Sequence, residues 1–423
     1  RVYIDRIDIV NNVRTLDKVV RREFQLAEGD AFNTAKLRQS RRNIRGLGFF
    51  NKVEIKDDRG LLDDRTLGGA GASAVDDRTV ITVDVKEKST GELSFGAGYS
   101  TQESIVGDIS LSERNLLGRG QFLRLGLNFS SQRQKVDLSF TEPYFLDRDL
   151  AAGFDLFNTQ RDLQDQSSFD ESTTGAILRA AYPIAMHLRQ SVRYTLREDT
   201  IENVGADASR FISSQEGTRL TSSVGYNLIY DRRNDILLPT DGYIAKFGQD
   251  LAGLGGNVRY FKSVAAISWY YPLSDSLTGN LAYEIGGIVG LGEKVRLSDR
   301  FFLGGGSFRG FKVAGVGPRD VETADALGGT VYYVGRGTLR FPLGPFEEFG
   351  VSGDVFSELG SLARPDLESA TNIFDTGSVR LSAGVGILWR SPMGPIRMDF
   401  TEAIIRESFD ETEFFRFSFG TRF

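Results

Sequence analysis

From Glu92 almost to the end of the chain, apolar and polar side chains alternate with a period of two. The final segment is the clearest case: Phe415, Phe417, Phe419, Thr421 and Phe423 share one face, while Arg416, Ser418, Gly420 and Arg422 share the other. Two is the period of a β-strand, so one face of this strand suits hydrocarbon and the other suits water. The same split recurs from Val379 to Arg390, and again where Leu123, Leu125, Leu127 and Phe129 oppose Arg124, Gly126, Asn128 and Ser130. About sixteen such segments follow residue 90. They average roughly 21 residues for each strand with its connection, and they approach the roughly 9 to 11 residues of a tilted membrane-crossing strand. The number is even, as a bacterial single-chain barrel requires. Aromatic pairs near segment ends (Tyr144 and Phe145, Tyr270 and Tyr271, Phe301 and Phe302) are expected to form interfacial girdles. The pattern predicts a mainly β chain whose residues 90–423 close into a sixteen-stranded antiparallel transmembrane barrel. A soluble sandwich also alternates, and the number and length of the segments argue against it.

The first ninety residues have another rhythm. Val2, Ile4, Ile7 and Ile9 predict a strand with an irregularity near Arg6. Leu16, Val19, Val20 and Phe24 then fall on one helical face, with Thr15 placed as N-cap. A second helix is expected from Thr34 to about Arg45, carrying Leu37 and Ile44 inward and ending at Gly46 and Gly48. Strands follow at Phe49 to Lys56 and Val80 to Lys88, separated by an Asp-, Gly- and Ala-rich loop from Asp57 to Arg78. The order β-α-α-β-β predicts a small α+β domain over residues 1–89.

Composition narrows the chemistry. The 423 residues include no cysteine and one histidine, His187, so a disulfide framework, a thiolate nucleophile and a histidine-rich metal cage are all excluded. No metal site, cofactor or catalytic residue is expected, and the chain does not read as an enzyme. The balance of 51 basic and 57 acidic groups argues against a nucleic-acid partner. No run approaches the roughly 18 apolar residues of a membrane-spanning helix, which leaves a barrel as the only membrane architecture. A start at Arg1, with neither Met nor a charged-then-apolar leader, reads as a mature fragment.

Specific strings then point to a family. IRGLGFFNKVEI from Ile44 to Ile55, within its β-α-α-β-β setting, resembles a POTRA domain, a periplasmic polypeptide-binding module. SERNLLGRGQ (Ser112 to Gln121), FTEPYF (Phe140 to Phe145), DRRND (Asp231 to Asp235) with PTDGY (Pro239 to Tyr243), GGGSFRGF (Gly304 to Phe311) and SPMGPIRMDF (Ser391 to Phe400) resemble the POTRA-plus-barrel family of outer-membrane proteins. They are most similar to its bacterial insertases, and the likeness covers the last POTRA domain and a complete barrel.

The resemblance implies a long loop between the eleventh and twelfth barrel strands, around residues 300–328, folded into the lumen with Arg309, Gly310 and Phe311 at its tip. A guanidinium confined there needs a carboxylate. The strand from Val351 to Gly360 turns Asp354, Phe356, Glu358 and Gly360 inward, so Arg309 is expected to pair with Glu358, with Asp354 as the alternative. The family's nearby acidic position on the preceding strand is Arg340 here, which counts against a clamp of two carboxylates. The loop tip could equally be a solvated hairpin end.

A second constellation is the closing pair of strands. Phe95, Gly96, Gly98 and Tyr99 on the first, with Phe417, Phe419, Gly420 and Phe423 on the last, form either a crowded lumen edge or a weak lateral seam that parts to template an incoming strand. Ser94 opposite Ser418 is the expected register. Arg21, Arg22, Arg38, Arg41 and Arg42 read as a solvated helix face or a docking surface.

The function implied by the resemblance is insertion of β-barrel proteins into the bacterial outer membrane by strand templating at the seam, without ATP. The POTRA domain would lie in the periplasm. Implied partners are unfolded β-barrel clients, periplasmic lipoproteins of an assembly complex, periplasmic chaperones and the lipid bilayer. The alternative is a two-partner-type secretion transporter that passes a polypeptide through the lumen.

Overall fold

The computed structural model describes residues 2–58, 77–367, 371–392 and 394–420. Most of the Asp57 to Arg78 segment, and Phe423 of the expected seam, lie outside the described residues. The chain divides into two compact units, 1–93 with 111–124 and 140–143, and 94–110 with 125–139 and 144–423.

In the first unit, β1 (Tyr3–Val10), α1 (Asp17–Arg21), α2 (Thr34–Gly46), β2 (Phe50–Asp57) and β3 (Arg78–Glu87) follow the expected order. β3 is central, parallel to β1 and antiparallel to β2, and the irregularity near Arg6 is a register shift between Ile4 and Arg6. Ile81, Val83 and Val85 alternate onto the inner face of β3 and pack with Ile4, Ile7, Val19, Val20, Leu37, Ile44 and Val53. Burying each such side chain contributes about 1.5 to 3 kcal/mol, enough to hold α2 although its outer face is strongly basic.

One expectation fails in this unit. Thr15 does not cap α1, which is capped at Leu16 without a side-chain bond and spans only five residues. The Thr15 hydroxyl instead accepts from Asn115 Nδ2 at 2.9 Å, while its N–H donates to Glu87 Oε1 at 2.7 Å. Leu16 N–H also donates to Gly118 O at 2.8 Å, which groups the turn 117–120 with this unit.

Sixteen strands, from Gly91–Ser100 to Phe415–Phe419, pair in chain order and close into a barrel. Alternation assigns the faces: on Val351–Ala363, Val355, Ser357 and Leu359 are exposed outward, while Asp354, Phe356, Glu358 and Gly360 are buried inward. Outward aromatic pairs sit near strand ends, Tyr230 with Tyr243 and Trp269 with Tyr271, at centroid separations of 5.7 and 6.2 Å. The girdle expected from Phe301 and Phe302 is not formed. Both belong to the inward-folded loop, where Phe301 packs on Tyr332 at 4.6 Å and Phe302 joins the cluster around Phe169 and Leu327. A loop that fills a polar lumen needs an apolar core of its own, and these rings supply it. Tyr270 likewise lines the lumen, while Tyr271 points outward.

Glu87 links β3 to the start of α1 through the N–H groups of Arg14 and Thr15, at 3.0 and 2.7 Å. Burial pushes this carboxyl up, but the hydrogen bonds from Thr15 and Arg14 outweigh it and hold the pKa below the ordinary carboxylate range. A depressed folded pKa means stability that is complete above the unfolded value, about 4.3, and lost as pH falls through the folded one. Glu87→Gln should therefore destabilise the first unit by about 2 kcal/mol at neutral pH and flatten its acid dependence, as read by urea unfolding at stepped pH.

Candidate functional site

The inward-folded loop leaves the barrel after Thr278–Gly290 and returns at Val331–Pro342. At its tip Arg309 Nε lies 2.5 Å from Glu358 Oε1, and the Arg309 backbone N–H donates to Glu358 Oε2 at 2.9 Å. One carboxylate thus holds both the side chain and the backbone of the tip. Asp354 stands farther off, 3.9 Å from Nη1, and the guanidinium lies over the Phe356 ring at 3.3 Å. Glu358, Asp354 and Asp399 are each 2% exposed, so this cation is where their charges are met out of bulk water.

Gly310 follows at φ +89°, in the left-handed region, and a Cβ there would come within 2.9 Å of Thr401 and 3.0 Å of Ser382. The tip can therefore press against the wall only with glycine. On either side Phe308 and Phe311, both fully buried with centroids 5.0 Å apart, enter an apolar cluster with Leu303, Val334 and Leu362. The tip is an ion pair set between two hydrophobic plugs.

Sequence reasoning missed part of this cluster. Asp399 lies 3.6 Å from Arg309 Nη1, and Arg397 bridges Asp399 and Asp354 at 2.7 and 3.2 Å. Both residues belong to the SPMGPIRMDF string and, two apart on one strand, share its inner face, a signal that could have found them. A second carboxylate therefore does stand beside Glu358, supplied by a strand three places beyond the one that carries Arg340. Strand register explains the convergence: Asp354 and Asp399 both oppose Gly386, where a side chain would clash with either carboxylate. Arg340 faces Asp354 across the strands, Arg336 faces Glu358, and Arg336 also donates to Ser307 O at the tip.

The loop has a second anchor. Arg197, on Leu188–Glu202, pairs with Asp299 at the loop's first turn and with Asp199 at 2.9 Å, and Lys262 Nζ donates to Asp299 O at 3.1 Å. Toward the end of the barrel that holds these outer loops, Phe169, Ile201, Ile212, Leu297 and Leu327 form a buried cluster. Ser209 donates to Asp320 and Asp325 at 2.6 and 2.7 Å, and Ser168 to Asp325 at 2.7 Å, joining three loop segments over the lumen.

At the seam, the described residues of the last strand register with the first at Ser418 with Ser100 and Phe419 with Tyr99. Against its other neighbour the same strand registers from Phe415 to Phe419. Ser418 therefore faces Ser100, not Ser94. Tyr99 and Phe417 are 6.2 Å apart, and Phe95, lower on the first strand, is 71% exposed. Gly98 approaches so closely that a Cβ would lie 2.3 Å from Phe419 O and 2.9 Å from Gly420 Cα. Gly96, Gly98, Phe417, Phe419 and Gly420 also line a lumen cavity of about 980 Å³, whose walls include Arg309, Glu358, Asp354 and Asp399. Loop tip and seam thus open onto one water-accessible space. His187 is exposed at a turn, its ring 6.3 Å from Tyr230.

Residues 115–423 match the family model of the Omp85 superfamily domain, and residues 2–88 match the POTRA model, described as a surface antigen variable number repeat. The chain is similar to the outer membrane protein assembly factor BamA of Neorickettsia risticii, at 31% identity over 99% of this chain and 55% of that protein. It is similar to the sorting and assembly machinery component 50 homolog A of Xenopus laevis, at 28% identity over 84% of this chain and 74% of that protein. Its fold resembles the crystal structure of BamA from Haemophilus ducreyi lacking POTRA domains 1-3, with a TM-score of 0.85 and 23% identity over 100% of this chain and 84% of that one. The chain spans about half the length of the bacterial relatives it matches.

Glu358→Arg sets a second guanidinium beside Arg309. Breaking a buried pair of this kind costs about 3 to 5 kcal/mol, so the temperature at which the barrel loses its compact electrophoretic mobility should fall by several degrees. Asp354→Asn should lower it less. Equal transitions for wild type and Glu358→Arg would mean that the tip is held by its phenylalanines alone.

Proposed function

The chain belongs to the Omp85 superfamily, and on that basis we propose that it inserts β-barrel proteins into a bacterial outer membrane, offering the edge of its first strand as a template. The seam carries this reading. Among the described residues the closing pair registers only at Ser418 with Ser100 and Phe419 with Tyr99, and its parting would expose Phe95 to Tyr99 as an edge whose N–H and C=O groups can pair with a client strand. A client ending in an alternating aromatic strand like Phe415–Phe419 would add to it in the same register.

No nucleotide and no covalent step are needed, because the work is the lowering of a folding barrier. The POTRA domain would lie in the periplasm and receive clients from chaperones, with its sheet edges and the exposed basic face of α2, including Arg38 and Arg42, as the surfaces that meet clients and partner lipoproteins. Arg21 is already engaged with Asp17 and Glu28. Lateral release is favoured over passage along the lumen by the loop cluster around Phe169 and Leu327, which covers one end of the barrel.

Reconstitution into liposomes with an unfolded barrel client tests the proposal. Client folding, scored by protease protection, should accelerate with the chain present. Ser100→Cys with Ser418→Cys should abolish the acceleration when oxidised and restore it on reduction, since the chain has no cysteine of its own. Undiminished insertion with the seam cross-linked would rule out templating there.

A further inference from the structure

Beyond the tip, the loop makes contacts that neither the ion pair nor the seam explains. Gly310 O accepts from Glu413 N–H at 3.0 Å, Lys312 N–H donates to Glu411 O at 2.9 Å, and Glu411 N–H donates to Gly315 O at 3.0 Å. With the antiparallel bridge between Phe311 and Thr412, these bonds make a short ladder between two segments outside the barrel sheet. The second segment, 411–413, leads directly into the last strand, which begins at Phe415. Its approach is close: a Cβ on Gly315 would lie 2.5 Å from Glu411 O.

Arg319 fastens the ladder. Only 3% exposed, it donates from Nη1 to Glu411 Oε1 at 2.8 Å and to Ala324 O at 2.7 Å, and from Nη2 to Ala314 O at 2.8 Å. It thus joins both limbs of the loop to the segment that feeds the seam. Arg416, on the last strand, pairs in turn with Glu413 at 2.8 Å. Arg309, the ladder, Glu413 and the last strand form a continuous chain of bonds.

We propose that Arg319 and Glu411 are positioning residues that latch the seam: the last strand is free to leave the first only when residues 411–413 come off residues 310–315 of the loop. This rests on the insertase reading for its purpose, but the latch is a physical property measurable without a client. Seating of Arg309 between its carboxylates holds the ladder in place, and the ladder holds the root of the last strand, so loop withdrawal and seam opening are one motion.

Hydrogen exchange on the intact chain in liposomes tests the latch. Glu411→Gln, at a side chain 38% exposed, removes the charge-assisted bond without opening a cavity and should speed exchange of the 415–420 amides by roughly tenfold, with Val351–Ala363 unchanged. Glu358→Arg, which unseats the tip at a distance, should speed the same amides. Arg319→Lys, which keeps the charge, should fall between wild type and Glu411→Gln. Faster exchange at 310–315 with 415–420 unchanged would overturn the latch, as would no change in either. Failure of client insertion alongside fast exchange at 415–420 would instead overturn the insertase reading and leave the latch standing.

Discussion

Every backbone N–H and C=O that faces hydrocarbon must be paired within the protein, and a sheet meets this demand only by closing on itself. The second unit follows from that constraint. Sixteen strands pair in chain order around the ring, and the period of two sorts lipid-facing from water-facing side chains along each of them. Closure requires the first and last strands to meet, and among the described residues they register at Ser100 with Ser418 and Tyr99 with Phe419. At this join two glycines, Gly98 and Gly420, bring backbone against backbone.

A closed ring of this size leaves a lumen that must be filled or wetted. The inward-folded loop fills part of it and brings its own apolar core, with Phe308 and Phe311 at the tip and Leu297 and Leu327 nearer the cap. Its charges meet opposite charges along its length, among them Arg309 at Glu358, Asp299 at Arg197 and Arg319 at Glu411. Carboxylates held at 2% exposure are tolerated because guanidinium groups surround them, and removing one partner is destabilising because the others remain buried. Such a strap is firmly seated when paired and has a defined way of failing when a pair is broken.

Much of this was legible before any coordinates. Alternation revealed the strands and their faces, so Asp354 and Glu358 could be placed inward, and the family resemblance, which put the loop in the lumen, gave Arg309 a partner there. The change of rhythm near residue 90 separated a small β-α-α-β-β domain from the barrel. The errors share a cause: they concern contacts between segments far apart in sequence. Thr15 has the chemistry of an N-cap, but Asn115, a hundred residues away, occupies its hydroxyl. Phe301 and Phe302 look like girdle residues until the loop that carries them folds inward.

Period and residue type determined the strands and their inner and outer faces, because these depend on local geometry; the family resemblance placed Arg309 in the lumen, where the energy of burying a charge demands a carboxylate. Register and long-range approach were decided by the tertiary structure alone. Ser418 opposite Ser100, Asp399 beside Asp354 across Gly386, and the ladder from residues 310–315 to 411–413 each depend on how far one strand slides past another. A slide of two residues keeps every side chain on its face, so the alternating pattern cannot report it.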